Sequence, residues 1–395
     1  MCKNSRSPWL ALLCWTLAAA QFHAIPILFS TWSSSLLAEE PEKLNATEAD
    51  PRLLVAKLGD DDFTIRERSS EELTRIGFRA TSALEEGSKH TDREIRYRSQ
   101  RILLLIRQLE FEQRLATFLE SGEDDKQVWP GWERFKKRFG NHSNSRQLYV
   151  QMIRSEHGLL TSLQTSAKAA AEGLGVRIAA LQSMQQVPLT VGSVATVLFA
   201  CGETDVAIPF QVSNYLYSMC MSQVSFQSEI GVGEHKDMLR NMLGGWIRRC
   251  DETMSFQGMI LAMRFDIMEG LTLAEKILQN AQSQPHVRQY AILTVAKLGN
   301  ESHRLLLKPM LNDKTVCITW QMNNVPVQTQ VRDIALAALI LMHKQDPKQF
   351  GFDRFQPQQP NVLNITSIGF DNEEKRAAVF KKWREFEEKP TPPAK

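Results

Sequence analysis

The sequence is short of the arrangements that carry most chemistry. It contains no His-Glu-x-x-His, no Gly-x-Ser-x-Gly, no P-loop lysine motif and no dinucleotide fingerprint after a strand. Gly231-Val232-Gly233 is too short a glycine run to cradle a phosphate. Beyond residue 38 the histidines (His90, His142, His157, His235, His286, His303 and His343) are scattered and form no metal-ligand spacing. Asp60-Asp61-Asp62 has the charge of a calcium loop but lacks its glycine and closing Glu, so helix capping is the simpler reading. None of the six cysteines forms Cys-x-x-Cys, which excludes zinc ribbons and thioredoxin-like redox chemistry. No cofactor and no metal is therefore expected. A one-signed charge is missing as well. The chain has 47 basic and 45 acidic side chains, and Lys3 and Arg6 come from the first 38 residues, which hold no acid. The remainder is neutral, with no whole-molecule attraction to nucleic acid or to an anionic membrane.

The N-terminus is where the sequence is most biased. Lys3 and Arg6 precede an apolar run from Trp9 to Ala20, with small-residue cleavage options at Ala18-Ala19-Ala20 or after Ala38. That run is shorter than the roughly 20 apolar residues that span a bilayer. Residues 1–38 are expected to be an export signal, with an uncleaved anchor as the alternative because Ala24 to Trp32 is a second apolar stretch. Leu13 stands before Cys14 where a lipid attachment site would have a small residue. Residues 39–49 read as an acidic linker. Export implies the periplasm or cell envelope, with membrane contact only if the segment is uncleaved. Cys201, Cys220, Cys250 and Cys317 then remain in an oxidising compartment, with three possible pairings. Cys201 and Cys220 lie in apolar runs and read as buried core residues.

The chain repeats itself. Asp62-Phe63-Thr64-Ile65-Arg66-Glu67-Arg68-Ser69 recurs as Asp92-Arg93-Glu94-Ile95-Arg96-Tyr97-Arg98-Ser99, with echoes at Val287, Arg288 and Ala291, at Val331, Arg332 and Ala335, and at Val176, Arg177 and Ala180. Counting the Ile or Val as position 0, a small residue stands at +4. Large apolar residues stand at +8 (Leu73, Leu103, Met184, Val295, Leu339) and +11 (Ile76, Ile106, Val187, Leu298, Met342). On a helix these four positions fall within an arc of about 80°, so each copy predicts a helix with one buried stripe. Asp62 and Asp92 sit where an N-cap belongs, and Gly77 and Gly299 where helices stop. The arginine at +1 lies just off the stripe, placed to lay its stem on the core and reach an acid of the adjacent unit.

With these residues the chain resembles HEAT-repeat proteins, armadillo-type α-solenoids of stacked antiparallel helix pairs. In that resemblance Arg79 to Lys89 is the partner helix between the first two copies. The whole chain also resembles exported bacterial HEAT-repeat proteins of unassigned activity, through Trp129-Pro130-Gly131-Trp132-Glu133-Arg134-Phe135, the 331–337 helix and Gln345 to Phe352. The resemblance implies an all-α, right-handed solenoid over 50–388 and export, and no reaction.

Further helices are expected at Ser145 to Ser155, Gly192 to Cys201, Phe210 to Met221, Lys236 to Arg249 and Phe256 to Met268, with an acidic turn at Gly122 to Asp125. One stretch departs from helix. Val316 to Met322 alternates with period two, Asn323-Asn324 can take φ > 0, and Val325 to Thr329 returns, predicting a short β-hairpin insertion with Pro326 on an edge strand. The last helix is expected from Asp371 to about Glu388, capped with Glu374 as partner, before a disordered Pro-rich tail at 389–395.

Trp132 to Phe139 interleaves aromatic and basic residues as nucleic-acid binders do, but Trp132, Phe135 and Phe139 share one helix face and read as core. The expected function is a non-enzymatic protein-interaction scaffold of the periplasm or envelope, binding an unidentified protein along the solenoid surface, with no nucleic acid. The alternative is an enzyme on a helical-repeat scaffold, a DNA-glycosylase-like protein or a cofactor lyase. The Asp–Arg signature itself is expected to serve stacking and not chemistry.

Overall fold

The computed structural model describes residues 50–121, 128–183, 189–359 and 362–388. The expected export signal (1–38), the linker (39–49), the 122–125 turn, Met184, Val187 and the 389–395 tail lie outside the described residues. The chain is mostly helical, with two small antiparallel sheets, and divides after Ile102 into two compact units. Among the described residues no helix is long and apolar enough to cross a membrane.

The first unit holds α1 (Pro51–Ala56), α2 (Phe63–Ile76), α3 (Thr81–Gly87) and the first turns of α4 (Arg93–Glu120). Two aspartates start its longer helices: the Asp62 carboxylate accepts the Thr64 amide at 2.7 Å, and Asp92 accepts those of Glu94 and Ile95 at 2.7 and 3.1 Å. Gly77 closes α2 with φ +67°, a left-handed value that a side chain would oppose. The expected partner helix is shorter than 79–89, because a 3-10 turn over Gly77–Ala80 uses up its start. Leu54, Leu58, Leu73, Leu84, Ile95 and Ile102 form an aliphatic core. At its centre Gly87 lets α3 come against the buried Ser99, where a Cβ would sit 2.4 Å from Oγ.

The second unit carries the rest of α4, then α5 (Trp132–Phe139), α6 (Ser143–Thr165), α7 (Ala167–Gln182), α8 (Val191–Gly202), α9 (Phe210–Ser222), α10 (Val224–Val232) and α11 (Lys236–Ile247). There follow α12 (Ser255–Phe265), α13 (Glu269–Gln279), α14 (Pro285–Leu298), α15 (Arg304–Leu307), α16 (Val331–Met342), α17 (Pro347–Phe350) and α18 (Glu373–Glu387). Helices pack on near neighbours in sequence: α6 on α7 and α8, α8 on α11, α13 on α14, and α14 on α16. The helix expected at Ser145 to Ser155 is longer, because α6 continues through a kink at Glu156 (φ −139°, ψ 42°). The core opens on an aromatic cluster: Phe118 meets Trp132 edge-on at 5.0 Å, Trp132 meets Tyr149 at 5.0 Å, and Phe135 meets Phe199 at 5.4 Å. The Trp-Pro-Gly-Trp stretch is the turn that delivers these rings. Gly131 is left-handed at φ +74°, and the Tyr149 hydroxyl donates to the Pro130 carbonyl at 2.6 Å.

The hairpin stands where its alternation puts it. Strands β1 (Val316–Met322) and β2 (Val325–Gln330) pair antiparallel around Asn323 and Asn324, whose φ values are +51° and +65°. A second, minimal pair, β3 (Pro357–Gln358) and β4 (Val362–Leu363), has no counterpart in the sequence reading. The last helix begins later than Asp371. Asn372 is its cap and accepts the Lys375 amide at 2.9 Å, while Asp371 pairs with the Lys375 ammonium at 2.6 Å.

Candidate functional site

The signature residues of the first unit serve local structure. Arg66 donates to the carbonyls of Asp60 and Asp61 at 2.6 and 3.0 Å, and Arg96 to those of His90 and Thr91 at 2.7 and 3.3 Å. Each guanidinium thus folds back on the loop that leads into its own helix and does not reach an acid of the next copy as its main partner. The Arg66–Glu94 approach is only 3.8 Å. The link between copies comes from residues two steps further on, Arg98 to Glu67 at 2.8 Å and to the Ser70 hydroxyl at 3.2 Å. Ile95, Ser99, Leu103 and Ile106 are all buried as their spacing predicts. Ile65 is exposed, a correction with a simple cause. Ile95 is covered by the loop at Gly59, where a Cβ would sit 2.8 Å from its side chain, whereas Ile65 lines an open pocket with Leu54, Lys57 and Arg68.

The copies in the second unit differ in the same informative way. Arg288 repeats the fold-back, donating to the Ser283 carbonyl at 3.0 Å, and also pairs with Asp313. Arg332 reaches Glu373 at 2.6 Å. Val287, Ala291, Val331 and Ala335 are buried. Gly299 ends α14 in an extended conformation, φ −77°. The copy at Val176 is corrected: Val176 is 72% exposed, and α7 buries Ala170, Leu174 and Ile178 instead. Its Arg177 binds the buried Glu156 carboxylate at 2.6 and 2.9 Å, at the kink of α6.

A different set of residues marks the surface. Phe63, Phe78 and Tyr97 are the aromatic residues between 50 and 102, and all three are outside, 61%, 69% and 60% exposed. Leu53 joins them. The signal for two of them lies in the repeat itself, since Phe63 at −2 and Tyr97 at +2 fall about 160° from position 0, opposite the buried stripe. Phe63 carries the Arg66 guanidinium over its ring at 5.6 Å.

The polar centre that sequence reasoning missed is Asp333. It is fully buried on α16, accepts the Gln330 amide at 2.8 Å, and pairs with the buried Arg376 of α18 at 2.9 Å. Arg376 also donates to the Gln328 carbonyl at 3.1 Å and lies over Phe370 at 5.3 Å. Burial pushes the Asp333 carboxyl up to about 6 against the opposing pull of Arg376. Nothing in the spacing of Arg376, on a helix rich in exposed charges, sets it apart.

Beside this network is a cleft of about 390 Å³ lined by Met322, Phe350, Phe352, Arg354, Phe370 and Lys375. Of its cations, Lys375 is held by Asp371, Arg354 bonds the Gly369 carbonyl and lies over the Trp320 ring at 5.5 Å, and Lys382 is exposed at the rim. The arginines of α5 are likewise tied down, Arg134 to Asp205 at 3.1 Å and Arg138 to Asn241 at 2.8 Å, with Trp132 and Phe135 in the core. Among the described residues the cysteines, Cys201, Cys220, Cys250 and Cys317, are free thiols, and burial pushes that of Cys201 up to about 12. Among the described residues no cluster of His, Cys, Asp or Glu is arranged to hold a metal ion. No family model, no curated protein and no solved structure matches the chain.

Proposed function

We propose that the protein is a non-enzymatic interaction scaffold whose helix pairs stack as a HEAT-like α-solenoid, exported to the periplasm or envelope, and that it binds a protein partner. The observation that carries this reading is the inversion of aromatic placement in the first unit, where Phe63, Phe78 and Tyr97 all face solvent over an aliphatic core. Burying an aromatic ring is among the larger single gains open to a folding chain, and small rigid aromatic anchors are what protein interfaces use. Packing of each helix on near neighbours in sequence supports the stacked arrangement. The test is capture from envelope extract with the full chain and with the triple variant Phe63→Ala, Phe78→Ala, Tyr97→Ala. The variant is expected to melt as the parent does and to lose the proteins the parent retains. Recovery of the same proteins by both, or of none by the parent, overturns the reading.

A further inference from the structure

The two edges of the hairpin are treated differently. The ladder bonds run between Met322 and Val325, Trp320 and Val327, and Ile318 and Thr329, so Thr319, Gln321, Pro326 and Gln328 turn their main-chain groups outward. On the β2 edge the outward donors are accounted for. Gln328 exchanges two 2.9 Å bonds with Phe370, and Pro326 has no N–H to offer. On the β1 edge the outward groups of Thr319 and Gln321 have no backbone partner among the described residues, and both side chains are exposed. The strand Val316-Cys317-Ile318-Thr319-Trp320-Gln321-Met322 carries no charge and no Pro, the devices that keep an edge from pairing. A two-stranded hairpin is also short of neighbours, since three or more strands are the usual stable minimum.

We propose that β1 pairs antiparallel with β1 of a second copy of this chain, making one four-stranded sheet across a two-fold axis at Trp320. The occupant follows from symmetry. Two open residues separated by one are self-complementary: Thr319 of each copy meets Gln321 of the other, and each such pair exchanges two N–H to C=O bonds. Trp320 then faces Trp320 of the second copy at the close, non-bonded position, where aromatic cross-strand pairs are strongest. The strand itself carries no charge, and the cation beside it, Arg354 over the Trp320 ring, is bonded to the Gly369 carbonyl.

Sedimentation velocity of the full chain at rising concentration, with amide exchange read at Thr319 and Gln321, tests the pairing. The expected result is a dimer in which both amides exchange more slowly than in dilute protein. Gln321→Pro removes one outward N–H and leaves the hairpin's own ladder intact, as Pro326 already does across from it. Thr319→Lys sets two like charges at the junction. Both variants are expected to be monomers that melt with the parent. A parent that is monomeric throughout, or a dimer that persists in Thr319→Lys, overturns the proposal.

Discussion

An arginine just inside a helix can send its guanidinium forward to a neighbouring element or back over the loop it came from. Arg66, Arg96 and Arg288 all bond back, to carbonyls five or six residues earlier, and Arg288 also reaches forward to Asp313. Such bonds hold the approach to the helix, so Arg96→Ala is expected to cost about 1 kcal/mol in urea unfolding. Arg98→Ala, which loses Glu67 and Ser70 together, is expected to cost at least as much. Asp333 allows a sharper test. Its folded value near 6 stands above the ordinary carboxyl value of 3.8. Its contribution to stability is therefore full below about pH 3.8 and falls as pH rises to about 6. The stability gap between parent and Asp333→Asn is expected to narrow from pH 4 to pH 7. A gap that widens would mean that the carboxylate is ionised in the fold throughout. The repeat spacing made the stripe at Ile95 and Ser99 legible. It could not tell which way a guanidinium turns, because that depends on which carbonyls the preceding loop leaves open.

At the level of elements the alternation in 316–329 proved sufficient, since period two, a turn pair able to take positive φ and an edge Pro all agree. Asn323 and Asn324 both hold left-handed values. Asn324→Val is expected to lower stability by about 1–2 kcal/mol and Asn324→Gly to leave it unchanged or better, by thermal melting. Helices bounded by Pro, Gly or Ser were similarly legible, such as α8 and α9. The failure at Val176 is instructive. Helix α7 is rich in Ala and Gly, so several faces look equally buriable, and the one with Leu174 and Ile178 has the larger side chains. The kink at Glu156 was invisible because its reason, Arg177, comes from another helix.

Over the whole molecule the two units use aromatic residues in opposite ways. In the second, Trp132, Phe135, Phe118 and Tyr149 fill the core, and Phe135→Ala is expected to cost about 3–5 kcal/mol by chemical unfolding. In the first, the rings are outside, and a triple alanine variant is expected to fold as the parent does. Composition alone does not separate these uses. The periodicity does, because Phe135 lies on its helix's buried face and Tyr97 opposite one.

The ion pair between Asp333 and Arg376 spans 43 residues of sequence. Helix α16 can bury the Asp333 carboxylate against its cation only once α18 is in place, so the two helices are coupled in folding. Removing one partner of a buried ion pair leaves the other charge uncompensated, at a cost of about 3–5 kcal/mol. A chain cut after Asn372 is therefore expected to loosen α16 and the hairpin strand at Gln328 together, since Arg376 holds both, and to be cleaved faster there by protease.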